Sequence, residues 1–292
     1  MERIKEALDR ARKERGGDSV WLDNSNQLNG QTKPPAFKLE EIVYTQSRVV
    51  NVSPKLLAQN RVISNQQQNR YGDIYKVLRT QILRKLAERR ANTLAVTSPG
   101  PGEGKSLTAL NLAISMAMEL DKTVLLVDAD LRNPSLHRLL GLGKVPGLSD
   151  YLTSGAPLNE LLIHPGIPRL VILPAGKNIA NSTEMMSSQR MTKLVQEMKT
   201  RYPSRYVIFD LPPLLNVADA SVFAPIVETA IMVVEDGVTQ IEAAKRGAAL
   251  LPQEKLIGTV LNKVQRMEST YGYYGQEPAA SFFGRWFKAR SA

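Results

Sequence analysis

The chain has no cysteine among its 292 residues. That excludes disulfides and thiolate metal sites, and it makes a reducing cytoplasm the simplest compartment. Long apolar runs are missing as well: none approaches the ~18 residues needed to cross a bilayer. The opening residues Met1-Glu2-Arg3-Ile4-Lys5-Glu6 mix charges and lack the apolar centre of a signal peptide. A soluble chain is expected. Aromatics are sparse at 6%, yet four of them crowd into Ser281-Phe282-Phe283-Gly284-Arg285-Trp286-Phe287-Lys288-Ala289-Arg290 beside three cations. Such a mixture suits an anionic membrane boundary, or else packing back onto the core.

The net charge of +10 is unevenly spread. Residues 1–90 hold 18 Lys and Arg against 10 Asp and Glu, and residues 263–292 hold 5 against 2. The stretch between, 91–262, holds 15 against 16 and is nearly neutral. A neutral core argues against a nucleic-acid-binding face. Its basic ends could meet acidic lipid or an acidic partner.

What is present is a phosphate-binding signature. An apolar run, Leu94-Ala95-Val96, leads into Thr97-Ser98-Pro99-Gly100-Pro101-Gly102-Glu103-Gly104-Lys105-Ser106, and the apolar helical pattern from Leu107 to Ala117 follows. Strand, glycine-rich turn, Gly-Lys-Ser and helix form a P-loop. Gly100, Gly102, Glu103, Gly104 and Leu107 make up or flank the turn, whose N–H groups face phosphate oxygens. Lys105 is expected on the β- and γ-phosphates, and the Ser106 hydroxyl on Mg²⁺. One position departs from the strict pattern: Pro99 stands where the first glycine belongs.

Downstream, apolar strands alternate with helices. Runs at Thr123-Val124-Leu125-Leu126-Val127, Leu170-Val171-Ile172-Leu173, Tyr206-Val207-Ile208-Phe209, Ala230-Ile231-Met232-Val233-Val234 and Leu256-Ile257-Gly258-Thr259-Val260-Leu261 read as central strands. Helical patterns fall between them, at 185–200 and 240–251. The expected fold is α/β, a doubly wound, mostly parallel P-loop sheet with helices on both faces and ligands at the carboxyl ends of strands. Two acidic motifs sit at such ends: Asp128-Ala129-Asp130-Leu131-Arg132 and Asp210-Leu211-Pro212-Pro213. Paired carboxylates there suit Mg²⁺, its water shell or an attacking hydroxyl, and Arg132 can neutralise phosphate charge.

Three segments complete the organisation: a basic leader over 1–70, a nucleotide domain over 71–262 and a tail over 263–292. Residues 1–15 show a thin helical stripe and 18–35 a polar linker. Residues 37–57 are expected extended, and Gln66-Gln67-Gln68-Asn69 is a second polar break. Ile74, Val77, Leu78, Ile82 and Leu86 form an apolar helical face, with Asp73, Lys76 and Arg79 on another. In the tail, Tyr271, Tyr273 and Tyr274 stand among glycines and polar residues, as in a mobile segment able to enter an active site.

Together these elements resemble the bacterial tyrosine kinases that accompany capsule and exopolysaccharide export. Residues 98–106, 124–134 and 207–213 are similar to that family's Walker A, A′ and B motifs. The helix from Asp73 resembles its oligomerisation helix, and the cluster at 271–274 its tyrosine tail. The free-standing form resembles in particular the autokinases of exosortase-associated polysaccharide loci. The resemblance implies ATP and Mg²⁺, with Lys105 and Ser106 on triphosphate and metal. It implies Asp128 at the tyrosine hydroxyl, Asp130 and Asp210 on the metal and its waters, Arg132 on phosphates and Asn262 on adenine. Tyr271, Tyr273 and Tyr274 become the phosphoacceptors. Implied partners are further copies of the chain, which phosphorylate one another, a membrane polysaccharide co-polymerase or adaptor, and a cognate phosphatase. The implied location is the inner membrane face, reached through that partner. The alternative is a nucleotide-driven positioning ATPase acting by dimerisation. That class generally carries an additional lysine where this chain has Gly100, and it has no role for the tyrosines.

Overall fold

Alternating side chains of β3 (Thr123–Asp128) pack into two different cores. Leu125 and Val127 join one cluster while Val124 and Leu126 join the other. β6 (Arg205–Asp210) divides in the same way, Val207 and Phe209 against Ile208. A strand buried on both faces must be apolar at every position, and for that reason these segments read as continuous runs. The computed structural model describes residues 48–63, 70–119, 121–201 and 204–264. The leader pattern at 1–15, the linker at 18–35, the break at 66–69, the tyrosine cluster and the aromatic–basic stretch lie outside the described residues.

Six strands form the parallel body of the sheet. In chain order they are β2 (Thr93–Thr97), β3, β5 (Leu170–Leu173), β6, β7 (Thr229–Glu235) and β8 (Leu256–Asn262). Two-residue strands β1 (Arg48–Val49) and β4 (Ile163–His164) extend one edge, giving the order β1-β4-β5-β3-β6-β2-β7-β8. β4 runs antiparallel to β5, and β1 runs parallel to β4. The mostly parallel doubly wound sheet is therefore as expected.

One face is covered by α2 (Arg70–Arg89) and α3 (Lys105–Ala117). From Thr108 to Ala117 every residue of α3 is buried, so this helix is apolar almost all round. The opposite face carries α8 (Gln189–Thr200), α9 (Asp219–Phe223) and α10 (Ile241–Ala249). There the rings of Phe209 and Phe223 meet with centroids 5.0 Å apart. Short helices α1 (Pro54–Gln59), α4 (Leu136–Leu139), α5 (Leu148–Ser154), α6 (Leu158–Leu161) and α7 (Ser182–Met186) occupy the connections.

Three local readings change. The single helical pattern at 185–200 is broken: α7 ends at Met186, and Ser188 caps α8 by accepting the Met191 N–H at 3.1 Å. Residues 54–57, expected extended, fall instead in α1, with Pro54 at its first turn where a missing N–H costs nothing. On α2, Ile82 and Leu86 are buried as the spacing implies, but Ile74 and Val77 face outward. Arg79 turns inward instead, donating to Ser115 O at 2.9 Å and pairing with Glu119 at 3.1 Å. A guanidinium at the carboxyl end of α3 satisfies its terminal carbonyls and suits its dipole. Lys76 pairs with Asp73 on its own helix at 2.9 Å. Among the described residues no helix is long and apolar enough to cross a membrane.

Candidate active site at the carboxyl ends of the strands

The P-loop needs glycine where its backbone turns left-handed, and those positions are Gly102 (φ 80°) and Gly104 (φ 91°). Pro99 and Gly100 have no such requirement, so the proline departure leaves the turn intact. Pro99 and Ser98 tie the loop's start to the segment after β6, their carbonyls accepting the N–H groups of Leu215 at 3.1 Å and Leu214 at 2.8 Å.

Glu103 braces the turn from inside. Its carboxylate accepts the Gly100 N–H at 2.9 Å and the Thr239 hydroxyl at 2.5 Å. The end of β8 holds the loop's carbonyls: Asn262 Nδ2 donates to Glu103 O at 2.9 Å, and Lys263 Nζ donates to Gly102 O at 2.8 Å. Among the described residues none accepts the N–H of Gly102, Gly104, Lys105 or Ser106. Four donors thus converge at the start of a thirteen-residue helix, α3. That geometry suits an anion carrying several oxygens.

Lys105 opens α3 and spans two acidic strand ends. Its Nζ lies 2.9 Å from Asp130 and 3.5 Å from Asp210. Burial alone would lower its proton affinity, but Asp210 and Asp130 outweigh that and raise it, so the ammonium stays charged. Asp210 is fully buried at the end of β6, between β3 and β2. Neither of its oxygens closes a hydrogen bond, although the Ser106 hydroxyl lies beside it. Burial raises its pKa. A buried carboxylate with unfilled oxygens next to a hydroxyl fits a divalent cation. Among the described residues no three His, Cys, Asp or Glu form a metal cage. Mg²⁺ does not need one, because substrate phosphates and water supply its other ligands.

Asp128 and Asp130 part company although they are two residues apart. Asp130 lines a cavity of about 540 Å³ together with Lys105, Ser106, Arg132, Asn133 and Arg138. Asp128 does not line it. It is fully buried, with one oxygen accepting the N–H groups of Ser135 at 3.1 Å and Leu136 at 3.0 Å, so it caps the turn into α4. Burial, with the nearby Asp210 charge, pushes its pKa up to about 7. Arg132 reaches the cavity wall but spends its guanidinium on Asp219, 3.3 Å away, and on the Thr183 hydroxyl at 3.1 Å. Sequence reasoning missed Asp219, Asn60 and Arg138, because each belongs to a segment with no motif of its own, and it passed over Asn133 although that residue lies inside the 124–134 motif. Asn262, expected on adenine, has its amide on the P-loop carbonyl of Glu103.

Residues 91–251 match a family described as an AAA domain. The chain is 37% identical to the tyrosine-protein kinase YwqD of Bacillus subtilis over 204 residues, covering 69% of this chain and 85% of that protein. Among solved structures, the kinase domain of the Escherichia coli tyrosine kinase ETK matches with a TM-score of 0.62 and 27% identity, covering 77% of this chain and 93% of that one. The septum site-determining protein MinD of Pyrococcus horikoshii matches with a TM-score of 0.51 at 23% identity, covering 61% and 72%, a likeness of fold alone. A nucleotide-binding P-loop sheet with this relationship is a kinase: the chain belongs to the bacterial protein-tyrosine kinases.

Proposed function

We propose that the chain transfers the γ-phosphoryl group of ATP to tyrosines 271, 273 and 274 of a second copy of itself, with Mg²⁺ as metal. The observation that carries this reading is the Lys105 ammonium, held between Asp130 and Asp210 directly beside a ring of unengaged N–H donors. The loop from Gly100 to Ser106, with Leu107 beyond it, cradles the triphosphate, and Lys105 leaves its carboxylates for the β- and γ-oxygens. Ser106, Asp130 and Asp210 would hold Mg²⁺, which would supply neutralisation of the charge that develops on the phosphates. Asn262, fixed on the P-loop at the β8 side, is the group we place on the adenine. Arg132 supports phosphate charge from the cavity wall once part of its contact with Asp219 is released.

The acceptor phenol oxygen forms a bond to the γ-phosphorus while the bond from that phosphorus to the bridging oxygen breaks and ADP leaves. Its proton goes to Asp128, the carboxyl group whose affinity matches neutral pH. Reaching it requires the turn at Ser135 and Leu136 to give up one of its hydrogen bonds to Asp128. Positioning and charge neutralisation supply the catalysis, since phosphoryl transfer asks little covalent help of the protein.

Family membership supports a setting in capsule or exopolysaccharide synthesis and export. The further partners in this reading are a membrane polysaccharide co-polymerase or adaptor, which would hold the kinase at the inner membrane face, and a cognate phosphatase. The test is purified protein with ATP and Mg²⁺, followed by mass spectrometry of the tail. Phosphate on residues 271–274 is expected. Phosphorylation confined to other tyrosines would overturn the acceptor assignment.

A further inference from the structure

The cavity beside Lys105 opens to one side of the P-loop. β3 and β6 lie on that side of β2, while β7 and β8 lie on the other. Asn262, at the end of β8, is not among the cavity's lining residues. Gly102, Gly104, Lys105 and Ser106 form the loop side of the cavity, where the triphosphate would lie, and the side toward α1 and α4 is left for the acceptor. Its polar wall is made by Asn133 and Arg138 after β3 and, unexpectedly, by Asn60. Asn60 follows α1 and comes from far upstream of the P-loop.

The segment carrying Asn60 is fastened at three points. Asn60 Nδ2 donates to Leu139 O on α4 at 2.8 Å. Next, Asn111 of α3 grips the chain from both sides: its Nδ2 donates to Arg61 O at 3.0 Å and its Oδ1 accepts the Ile63 N–H at 2.9 Å. Asn111 is 1% exposed. Third, Leu56 sits against Gly141 just past α4, so closely that a β-carbon there would come within 2.2 Å of it. Between these anchors Arg61 takes a left-handed conformation, φ 57°, unusual for a residue with a side chain. A buried amide with donor and acceptor both satisfied, beside a strained turn, fixes position rather than merely covering core.

We propose that Asn60 binds the acceptor segment and that Asn111 is the residue that positions it there. The Asn60 Oδ1 meets no donor among the described residues and is offered to a backbone N–H of an incoming strand. Arg138, at the same rim, favours an acidic residue near the tyrosine, as Glu268 is in this chain. Because Asn111 lies on the helix that Lys105 begins, the acceptor wall and the phosphate loop are built on one rigid element. This inference rests on the reading that tyrosines 271–274 are the acceptors.

The experiment uses the full chain and a fluorescein-labelled peptide of residues 266–277. Peptide Kd is measured by anisotropy, and KM for peptide and for ATP by steady-state phosphorylation. Asn60→Ala and Asn111→Ala should each raise peptide Kd and KM about three- to tenfold, the worth of one hydrogen bond. KM for ATP should change less. Asn111→Asp, which keeps the acceptor for Ile63 but loses the donor to Arg61, should fall between. Unchanged peptide Kd in Asn60→Ala, or an equal rise in KM for ATP, overturns the proposal. Should Asn111→Ala fail to fold, Asn60→Ala decides alone. A parent chain that binds the peptide without phosphorylating it would refute the acceptor reading, while the Kd comparison still judges Asn60.

Discussion

The Arg132 guanidinium lies 3.3 Å from the carboxylate of Asp219, which is fully buried at the start of α9. Burial would raise the pKa of Asp219, but Ser182, Thr183 and Arg132 together hold it below the usual carboxylate range. The catalytic-looking arginine is therefore also a structural partner. Arg132→Gln should lower stability by about 1 kcal/mol, since its side chain is 40% exposed and solvent screens the pair. Asp219→Ala should cost more, about 3 kcal/mol, by stranding the groups around it. Thermal melts check both. An Asp219→Ala protein as stable as its parent would mean the pair contributes nothing.

The carboxyls of Asp128 and Asp210 bear on the pH dependence of the nucleotide-free protein. Both have raised pKa values, Asp128 to about 7, so the folded chain holds more protons than the unfolded chain between about pH 4 and 7. Stability must then fall as pH rises through that window, on the order of 1 kcal/mol per unit. Denaturant titration at pH 5 and pH 7.5 in EDTA measures it. Asp128→Asn should flatten the slope. A parent that gains stability from pH 5 to 7.5 would contradict this account.

Two glycines of the P-loop should respond differently to a methyl group. Gly102 and Gly104 both have positive φ, but only at Gly104 would a β-carbon strike Asn262 Nδ2, at 2.2 Å. Gly102→Ala should cost about 1–2 kcal/mol from backbone strain alone. Gly104→Ala adds the clash and displaces Asn262, so binding of a fluorescent ATP analogue should drop about tenfold or more beyond it. Equal affinities for the two variants would dismiss the Asn262 contact.

Arg79 is committed inside its own chain, to Ser115 O and Glu119. Arg79→Glu should therefore lower the melting temperature by roughly 2–6 °C, equivalent to about 1–2 kcal/mol in a chain of this size. Val77→Asp, at an outward position of the same helix, should leave it nearly unchanged. If Arg79→Glu instead melts like the parent and lowers the mass seen by light scattering, Arg79 belongs to an interface between copies.

The sequence alone determined the sheet and the phosphate loop, because both are local. A strand buried on both faces must be apolar at each position, and the left-handed turns of the loop must be glycine. Lys105 and Ser106 follow from that loop, and Asp128, Asp130 and Asp210 from the ends of the strands. Contacts across long separations were not legible. Neither the Arg132 pairing with Asp219, 87 residues away, nor the Asn111 grip on Arg61, 50 residues away, leaves a pattern in either segment. The same holds for the division between Asp130, which faces the cavity, and Asp128, which faces inward. Spacing by two in a strand puts two side chains on one face. Past the end of β3 that rule lapses, and the tertiary structure decided which carboxylate would meet the cavity and which would be folded under the loop.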